Sequence, residues 1–458
     1  MDAKRFGWFV RDPAFYKKLV LIALPVAGQN VISFSVGLIG NLMVAHLGEG
    51  SIGGIYIAGQ LQGFVQMFVM GLGSALIILA AQYYGKGDIK SVKIIVSLSL
   101  KLATGAGAAM FILMTFFGRP ILGLLSNSEP VVSEGLVYMS YAKWTFILFG
   151  VTQAMLAAMR CAGQVNIGIF SSAIAFVSTV IFSYIFIYGN LGAPEMGVAG
   201  AALATLLARV IECAAALVYA LRIDKKLLYR PRDLTLGDRG LTFKYFRYGL
   251  PVIAGDATWG LGNTAKAAII GRLGESVIAA SSIVGNFSQL FGIFVYGLAT
   301  AGSLTVGQVI GNNDFDLAKK YTNTLQVIYP GVGLVSALVM LSMRGAVLSL
   351  APFQALTPDT IGFCVQFYTI LCVTLVGTSY QMSTLQIVRA GGATHFVFTN
   401  DLIFVWLVMI PMALIGLLAF NAPPWFIFLA INCDQILKCG VAVVKVNRYR
   451  WMKNLTRA

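Results

Sequence analysis

The chain has 458 residues, 58% hydrophobic and only 11% charged, with a formal net charge of +15. Soluble domains carry about 25% charged residues, so a globular enzyme of an aqueous compartment is excluded before any motif is read. The basic excess, 33 Lys+Arg against 18 Asp+Glu, lies between long apolar runs rather than in one patch. That distribution marks a polytopic membrane protein and argues against a nucleic-acid partner.

A spanning helix needs about 20 mainly apolar residues. Runs of that length predict helices at 19–44, 51–80, 94–117, 135–159, 168–188 and 197–221, then at 248–270, 277–309, 321–343, 361–388, 396–419 and 425–446. The expected fold is all-α, with twelve transmembrane helices. Residues 1–221 form a first lobe of six helices and 248–446 a second. A polar, basic linker (222–247) joins them, and a short tail (447–458) follows. The opening apolar run starts near Leu19, is too long for a signal-peptide core and lacks a small-residue cleavage site.

An even helix count puts both termini on one side, and the basic residues choose the side. Of the 33, 25 share the side of the N-terminus, three (Arg119, Arg272 and Arg344) fall in opposite loops, and five lie inside spans. Both termini are therefore expected in the cytoplasm. The six Cys (Cys161, Cys213, Cys364, Cys372, Cys433 and Cys439) form no CxxC pair. They read as small core- or lipid-facing residues. With His46 and His395 the only histidines, a zinc site lacks ligands.

The two halves resemble each other at an offset of 226. Leu24-Pro25-Val26 recurs as Leu250-Pro251-Val252, Leu47-Gly48-Glu49 as Leu273-Gly274-Glu275, and Gln82-x-x-Gly85-x-x-Asp88 as Gln308-x-x-Gly311-x-x-Asp314. Farther along the offset is 229, pairing Arg160-x-x-Gly163 with Arg389-x-x-Gly392. Six spans per half keep the repeats in the same orientation. Parallel repeats of this kind are a transporter architecture, with substrate at the repeat interface.

Several segments carry a family resemblance. They are Leu24-Pro25 and His46-Leu47-Gly48, Ala81-Gln82-Tyr83-Tyr84-Gly85-Lys86-Gly87-Asp88, the run from Met196 to Thr205, Val388-Arg389-Ala390-Gly391-Gly392, and Asp401 with Trp406 and Pro411. Together they resemble the multidrug and toxic compound extrusion (MATE) family over nearly the whole chain. The resemblance implies a bacterial plasma-membrane antiporter that exports organic, often cationic, compounds in exchange for Na⁺ or H⁺. It also implies two six-helix lobes around a central cavity. No cofactor beyond the coupling ion is expected, nor any partner beyond a small organic substrate and membrane lipid, and the chain is expected to be a monomer. Gly40 stands where many members carry an acidic residue in the first helix, and Ser183 where some carry one in the fifth. Asp256 matches the acidic position that several members have in the seventh helix.

An ionised side chain at the bilayer centre costs roughly 2.5–3.5 kcal/mol on insertion scales, so each one needs a partner or a task. Arg209 with Glu212 and Asp434 with Lys438 explain themselves as helical ion pairs. Lys101 and Lys143 lie near membrane ends, where long stems snorkel. Asp256 sits about 12 Å into its helix and shares a face about 80° wide with Trp259, Asn263 and Lys266. The first helix has a matching stripe of Asn30, Ser33, Gly37 and Asn41. Asp256 is the first candidate for ion coupling, including Na⁺, with no other metal expected. Asp401 is the second candidate, an interfacial anchor being its other reading. Lys266 tunes Asp256, favours a zwitterionic or anionic substrate, or snorkels. Gln60, Asn286, Gln289, Tyr296 and Gln381 complete the cavity candidates.

No phosphate-binding P-loop, HExxH or GxSxG motif is present, so neither ATP hydrolysis nor intramembrane hydrolysis is expected of this chain. A lipid-linked precursor flippase would need a more basic cavity, for which Lys266 is the only support. A major-facilitator transporter shares the helix count but not the segments quoted above.

Overall fold

The computed structural model describes residues 9–44, 47, 49–126, 128–348 and 357–456, and its regular elements there are helices. The first repeat supplies α1 (Pro13–Val44), α2 (Glu49–Gly85), α3 (Ile89–Gly123), α4 (Glu129–Ala142), α5 (Thr145–Cys161), α6 (Asn166–Tyr188) and α7 (Gly197–Val218). The second supplies α8 (Arg239–Ile270), α9 (Glu275–Gly311), α10 (Phe315–Leu348) and α11 (Pro358–Ala390). It ends with α12 (Thr394–Leu402), α13 (Ile410–Leu418), α14 (Pro424–Ala430) and α15 (Asp434–Asn447). His46, Gly48 and the side chain of Asn41 lie outside the described residues.

Among the described residues ten helical stretches are long and apolar enough to cross a membrane. An eleventh is the pair α4 and α5, bent by 50°. At 32 residues α8 is also long enough, but it is the polar span, because it carries Asp256 and Lys266 behind a basic first half. All twelve expected spans thus have a helical counterpart, most of them extended by a turn or so beyond the apolar run. Several spans are broken or locally irregular, and two of the breaks have an identifiable cause. The α4–α5 bend falls at Lys143 and Trp144, whose side chains both lie against the Phe111 ring, Lys143 at 5.3 Å and Trp144 at 4.4 Å. Lys143 therefore has a partner where snorkelling was expected. Between α12 and α13, a π-helical turn (Ile403–Met409) precedes Pro411, which lacks the N–H that a regular turn would donate.

The chain forms two compact units, residues 1–27 with 257–458 (unit 1) and residues 28–256 (unit 2). The linker at 222–247 is not the boundary. The boundary runs through α1 and α8, each divided just beyond its proline, Pro25 or Pro251. Within unit 2, a Cβ on Gly71 of α2 would come within 3.1 Å of the Ile253 backbone of α8. Within unit 1, a Cβ on Gly297 of α9 would come within 2.7 Å of the Ala23 carbonyl of α1. Gly71 and Gly297 are repeat equivalents, and only a residue without a side chain allows backbones to approach so closely. Each unit thus contains the first half of the opening helix of the other repeat. Its core is otherwise its own: Val65, Val69, Phe146 and Ala202 in unit 2, Phe367, Tyr368, Ile427 and Phe428 in unit 1.

The linker after α7 is itself folded, as a cap. The Asp224 carboxylate accepts from the N–H groups of Lys226, Leu227 and Leu228, turning the chain back, and Leu227 and Tyr229 are buried. Lys93 donates to the Leu228 carbonyl at 2.7 Å and pairs with Asp233 at 2.9 Å. The tail does the same for the second repeat. Trp451, 1% exposed, donates its indole N–H to the Val446 carbonyl. Lys226 Nζ donates to the Ala162 carbonyl, and the Lys453 N–H to that of Gly391, 229 residues on. The two accepting carbonyls are repeat equivalents, although their donors are not.

Burial alone would raise the Asp233 carboxyl, but hydrogen bonds from Lys93 and the Arg230 N–H, with the charges of both residues, hold it below its usual value of 3.8. A depressed folded value means that this tie acts fully above the unfolded value and is lost as pH falls through the folded one. Amide protection across 227–235, corrected for intrinsic exchange, should hold from neutrality to about pH 4 and drop below it. Asp233→Asn should remove that excess protection at pH 7, and unchanged exchange would show that the tie contributes nothing. Trp451→Ala should cost about 3–5 kcal/mol, measured as a lower unfolding temperature in detergent.

Candidate functional site

The sequence candidates divide between the two units. Asn30, Gln60 and Asp256 belong to unit 2, while Trp259, Asn263, Lys266, Asn286, Gln289, Tyr296, Gln381 and Asp401 belong to unit 1. Asp256 is half-buried, and its Oδ2 lies 3.7 Å from where a Cβ on Gly71 would sit. The close α2–α8 contact therefore holds this carboxylate against α2. Asn30, its repeat equivalent, is also half-buried, whereas Gln60, Asn286 and Gln289 are exposed and Tyr296 half-buried.

In unit 1 the structure assembles a ladder of five charges from four helices. Arg389, in the last turn of α11, pairs with Asp401 of α12 at 3.3 Å. The other oxygen of Asp401 accepts from Lys438 of α15 at 3.0 Å. Lys438 also pairs with Asp434, one turn back on α15, at 3.4 Å. Beyond Asp434 stands Lys266 of α8, its ammonium 3.8 Å from the remaining oxygen, Oδ1. Lys438 and Asp434 are each 3% exposed. Gln381 donates to Gln435 at 2.8 Å, and Gln435 in turn reaches toward Asp434 at 3.5 Å.

Sequence reasoning named only some of these rungs. The helical spacing of Asp434 and Lys438 suggested a self-sufficient pair, and the pair exists, but Lys438 makes its shorter contact with Asp401. Asp401, read as an ion site or an interfacial anchor, is held between two cations. Arg389 entered through topology, the repeat and the family resemblance, not as an ion-pair partner. The available signal was density: Asp256, Lys266, Asp401, Asp434 and Lys438 put five ionisable groups inside the spans of one repeat, and helical spacing pairs only Asp434 with Lys438. Lys266 points toward the bundle rather than only to the membrane edge.

The first repeat carries a simpler arrangement at the equivalent place. Counting back 229 residues, Lys438 corresponds to Arg209, Asp434 to Thr205, Asp401 to Ser172 and Arg389 to Arg160. Arg209 pairs with buried Glu212 at 2.6 Å and lies over the Phe149 ring. Arg160 donates to buried Gln29 at 2.8 Å. One repeat thus holds a compact one-to-one pair, and the other a shared series.

Comparison with known proteins places this architecture. The MatE family model matches residues 25–185 and 251–421, one block in each repeat. Multidrug resistance protein NorM of Photobacterium profundum is 24% identical over 426 residues, 87% of each chain. The YoeA protein of Bacillus subtilis, also named for multidrug resistance, is 23% identical over 417 residues, covering 88% of this chain and 87% of its own. Among solved structures, an outward-facing multidrug resistance MATE transporter superposes with a TM-score of 0.85 at 16% identity, covering 96% of this chain and 99% of that one. The VcmN transporter of Vibrio cholerae superposes equally well, at 16% identity over 95% and 97% of the two chains. The matched blocks, the parallel repeat and the shared fold together make this chain a multi-pass membrane transporter of the MatE family.

Proposed function

We propose that the protein is a secondary antiporter that exports organic, mainly cationic compounds in exchange for Na⁺ or H⁺. Both termini lie in the cytoplasm of a bacterial plasma membrane. The relatives' multidrug resistance names support export. The carrying observation for coupling is Asp256, a half-buried carboxylate midway along the one polar span, in the turn beyond Pro251.

Electrostatics supplies the mechanism. A carboxylate within a low-dielectric cavity must be neutralised, whether by a proton, a sodium ion or the cationic part of a substrate. When only one of them fits at a time, arrival of the coupling ion releases the compound, and exchange results. Pro251, five residues before Asp256 within α8, lacks the N–H of a regular helical hydrogen bond and gives the helix a place to bend between states. Asp401 is the poorer ion site, because Arg389 and Lys438 already neutralise it. The flippase alternative loses its one support, since the Lys266 ammonium is directed at Asp434.

Asp256→Asn should abolish ion-driven efflux from proteoliposomes while leaving the protein folded and inserted, and wild-type exchange by that variant would refute the assignment. The assay should impose sodium and proton gradients separately, and whichever drives wild-type efflux of a fluorescent organic cation is the coupling ion. Asp401→Asn should act mainly on stability. Removing one partner of a buried pair costs about 3–5 kcal/mol, so its unfolding temperature should fall, while exchange per folded molecule should fall less than in Asp256→Asn.

A further inference from the structure

One face of α15 changes chemistry along its length. Gly440, Val441 and Val444 follow helical spacing, and Lys445 and Arg448 continue the same stripe. Together with Phe396 of α12 and Arg450, they line a groove of about 490 Å³. A Cβ on Gly440 would meet nothing within 4 Å, and Val444 is 53% exposed, so the apolar half stands open. On a spanning helix such a surface meets acyl chains. From Gly440 to Arg448 the helix rises about 12 Å, so one lipid can reach both parts of the groove.

The basic end has no counter-charge within the protein. From Gln435 to Ala458 the sequence contains no acidic residue. Among the described residues, Lys445, Arg448 and Arg450 take part in no ion pair. Lys445 lies 4.1 Å from the centre of the Phe396 ring, which orients the ammonium but carries no net charge. Topology accounts for basic residues beyond the last span, but not for three of them meeting at one apolar groove. Counting back 229 residues, the first repeat has Ala216, Tyr219 and Leu221 at these places. The two helices end at that same offset, at Val218 and Asn447, so the cations belong to the second repeat alone.

We propose that this groove holds one anionic phospholipid from the leaflet at the C-terminal end of α15. Its phosphate lies among Lys445, Arg448 and Arg450, and an acyl chain runs along Val444, Val441 and Gly440. Basic pockets beside spanning helices on the cytoplasmic side take such headgroups, and the tail is on that side in the topology proposed above. The site lies wholly within unit 1 and does not depend on what the protein exports.

Native mass spectrometry of the purified full-length protein, titrated in detergent with phosphatidylglycerol or phosphatidylcholine of identical acyl chains, gives the test. Wild type should hold one phosphatidylglycerol in preference to phosphatidylcholine. Lys445→Gln, Arg448→Gln and Arg450→Gln combined should lower that affinity ratio roughly a hundredfold, at about fivefold per basic residue. If that variant is not recovered folded, Arg448→Gln with Arg450→Gln decides, and about 25-fold is expected. Gly440→Trp, which fills the apolar half and keeps every charge, should also weaken phosphatidylglycerol binding. Lys225→Gln, Arg232→Gln and Arg239→Gln combined remove the same charge from the exposed linker and should leave the ratio intact. An equal concentration of sn-glycerol 3-phosphate, which has the phosphate but no acyl chains, should not displace the lipid. The inference is overturned if the groove variants leave the ratio unchanged, or if the linker variant lowers it as much. It is overturned equally if Gly440→Trp has no effect, or if glycerol phosphate displaces the lipid, since the site would then take a phosphate alone.

Discussion

The demand that governs this molecule is that charge held among apolar helices must be answered by charge. Besides Asp256, five ionisable side chains of the second repeat (Arg389, Asp401, Lys438, Asp434 and Lys266) meet this demand collectively. Each carboxylate is shared between two cations, so α8, α11, α12 and α15 are joined through their side chains as well as by apolar packing. Such a series ties the position of each helix to the others. A shift of α15 relative to α12 would lengthen the Lys438–Asp401 contact and favour Lys438–Asp434, so the ladder can redistribute without leaving any charge bare. The first repeat, with its compact Arg209–Glu212 pair, has no equivalent route for such exchange.

Much of this architecture was legible in the sequence, and the reason is physical. Hydrocarbon thickness fixes span length, so apolar runs located all twelve spans. Duplication leaves matched residues at fixed offsets, so the repeat was readable from Pro25/Pro251 and Arg160/Arg389. What was not legible depends on which helices touch. Lys438 has Asp434 one turn away on its own helix, and nothing in one dimension shows that Asp401, 37 residues earlier, lies closer. The same limit applies to the linker. Its polar, basic composition showed a linker, but not the Asp224 turn or the burial of Leu227 and Tyr229 that make it a cap. Asp256 is the intermediate case: its polar stripe was visible, but its seat against α2 depends on Gly71, which the sequence offers as one glycine among 49.

The two repeats share a scaffold yet differ in polar content at matched places. Thr205 stands for Asp434, Ser172 for Asp401 and Gly40 for Lys266. Backbone geometry survives these exchanges because helix length, the prolines within α1 and α8 and the glycine contacts do not depend on them. Specialisation of the halves has thus been confined to side chains that the scaffold tolerates, which is how a duplicated fold acquires unlike sites.

The division through α1 and α8 has a consequence for biogenesis. Unit 2 includes residues up to Asp256, so its interior lacks a wall until the opening stretch of the second repeat has emerged from the ribosome and inserted. The first stretch of the chain, in turn, must wait for α9 before it meets Gly297. Neither repeat is a self-contained folding module. Membrane integration can proceed helix by helix, but tertiary closure of both halves belongs to a late step shared between them.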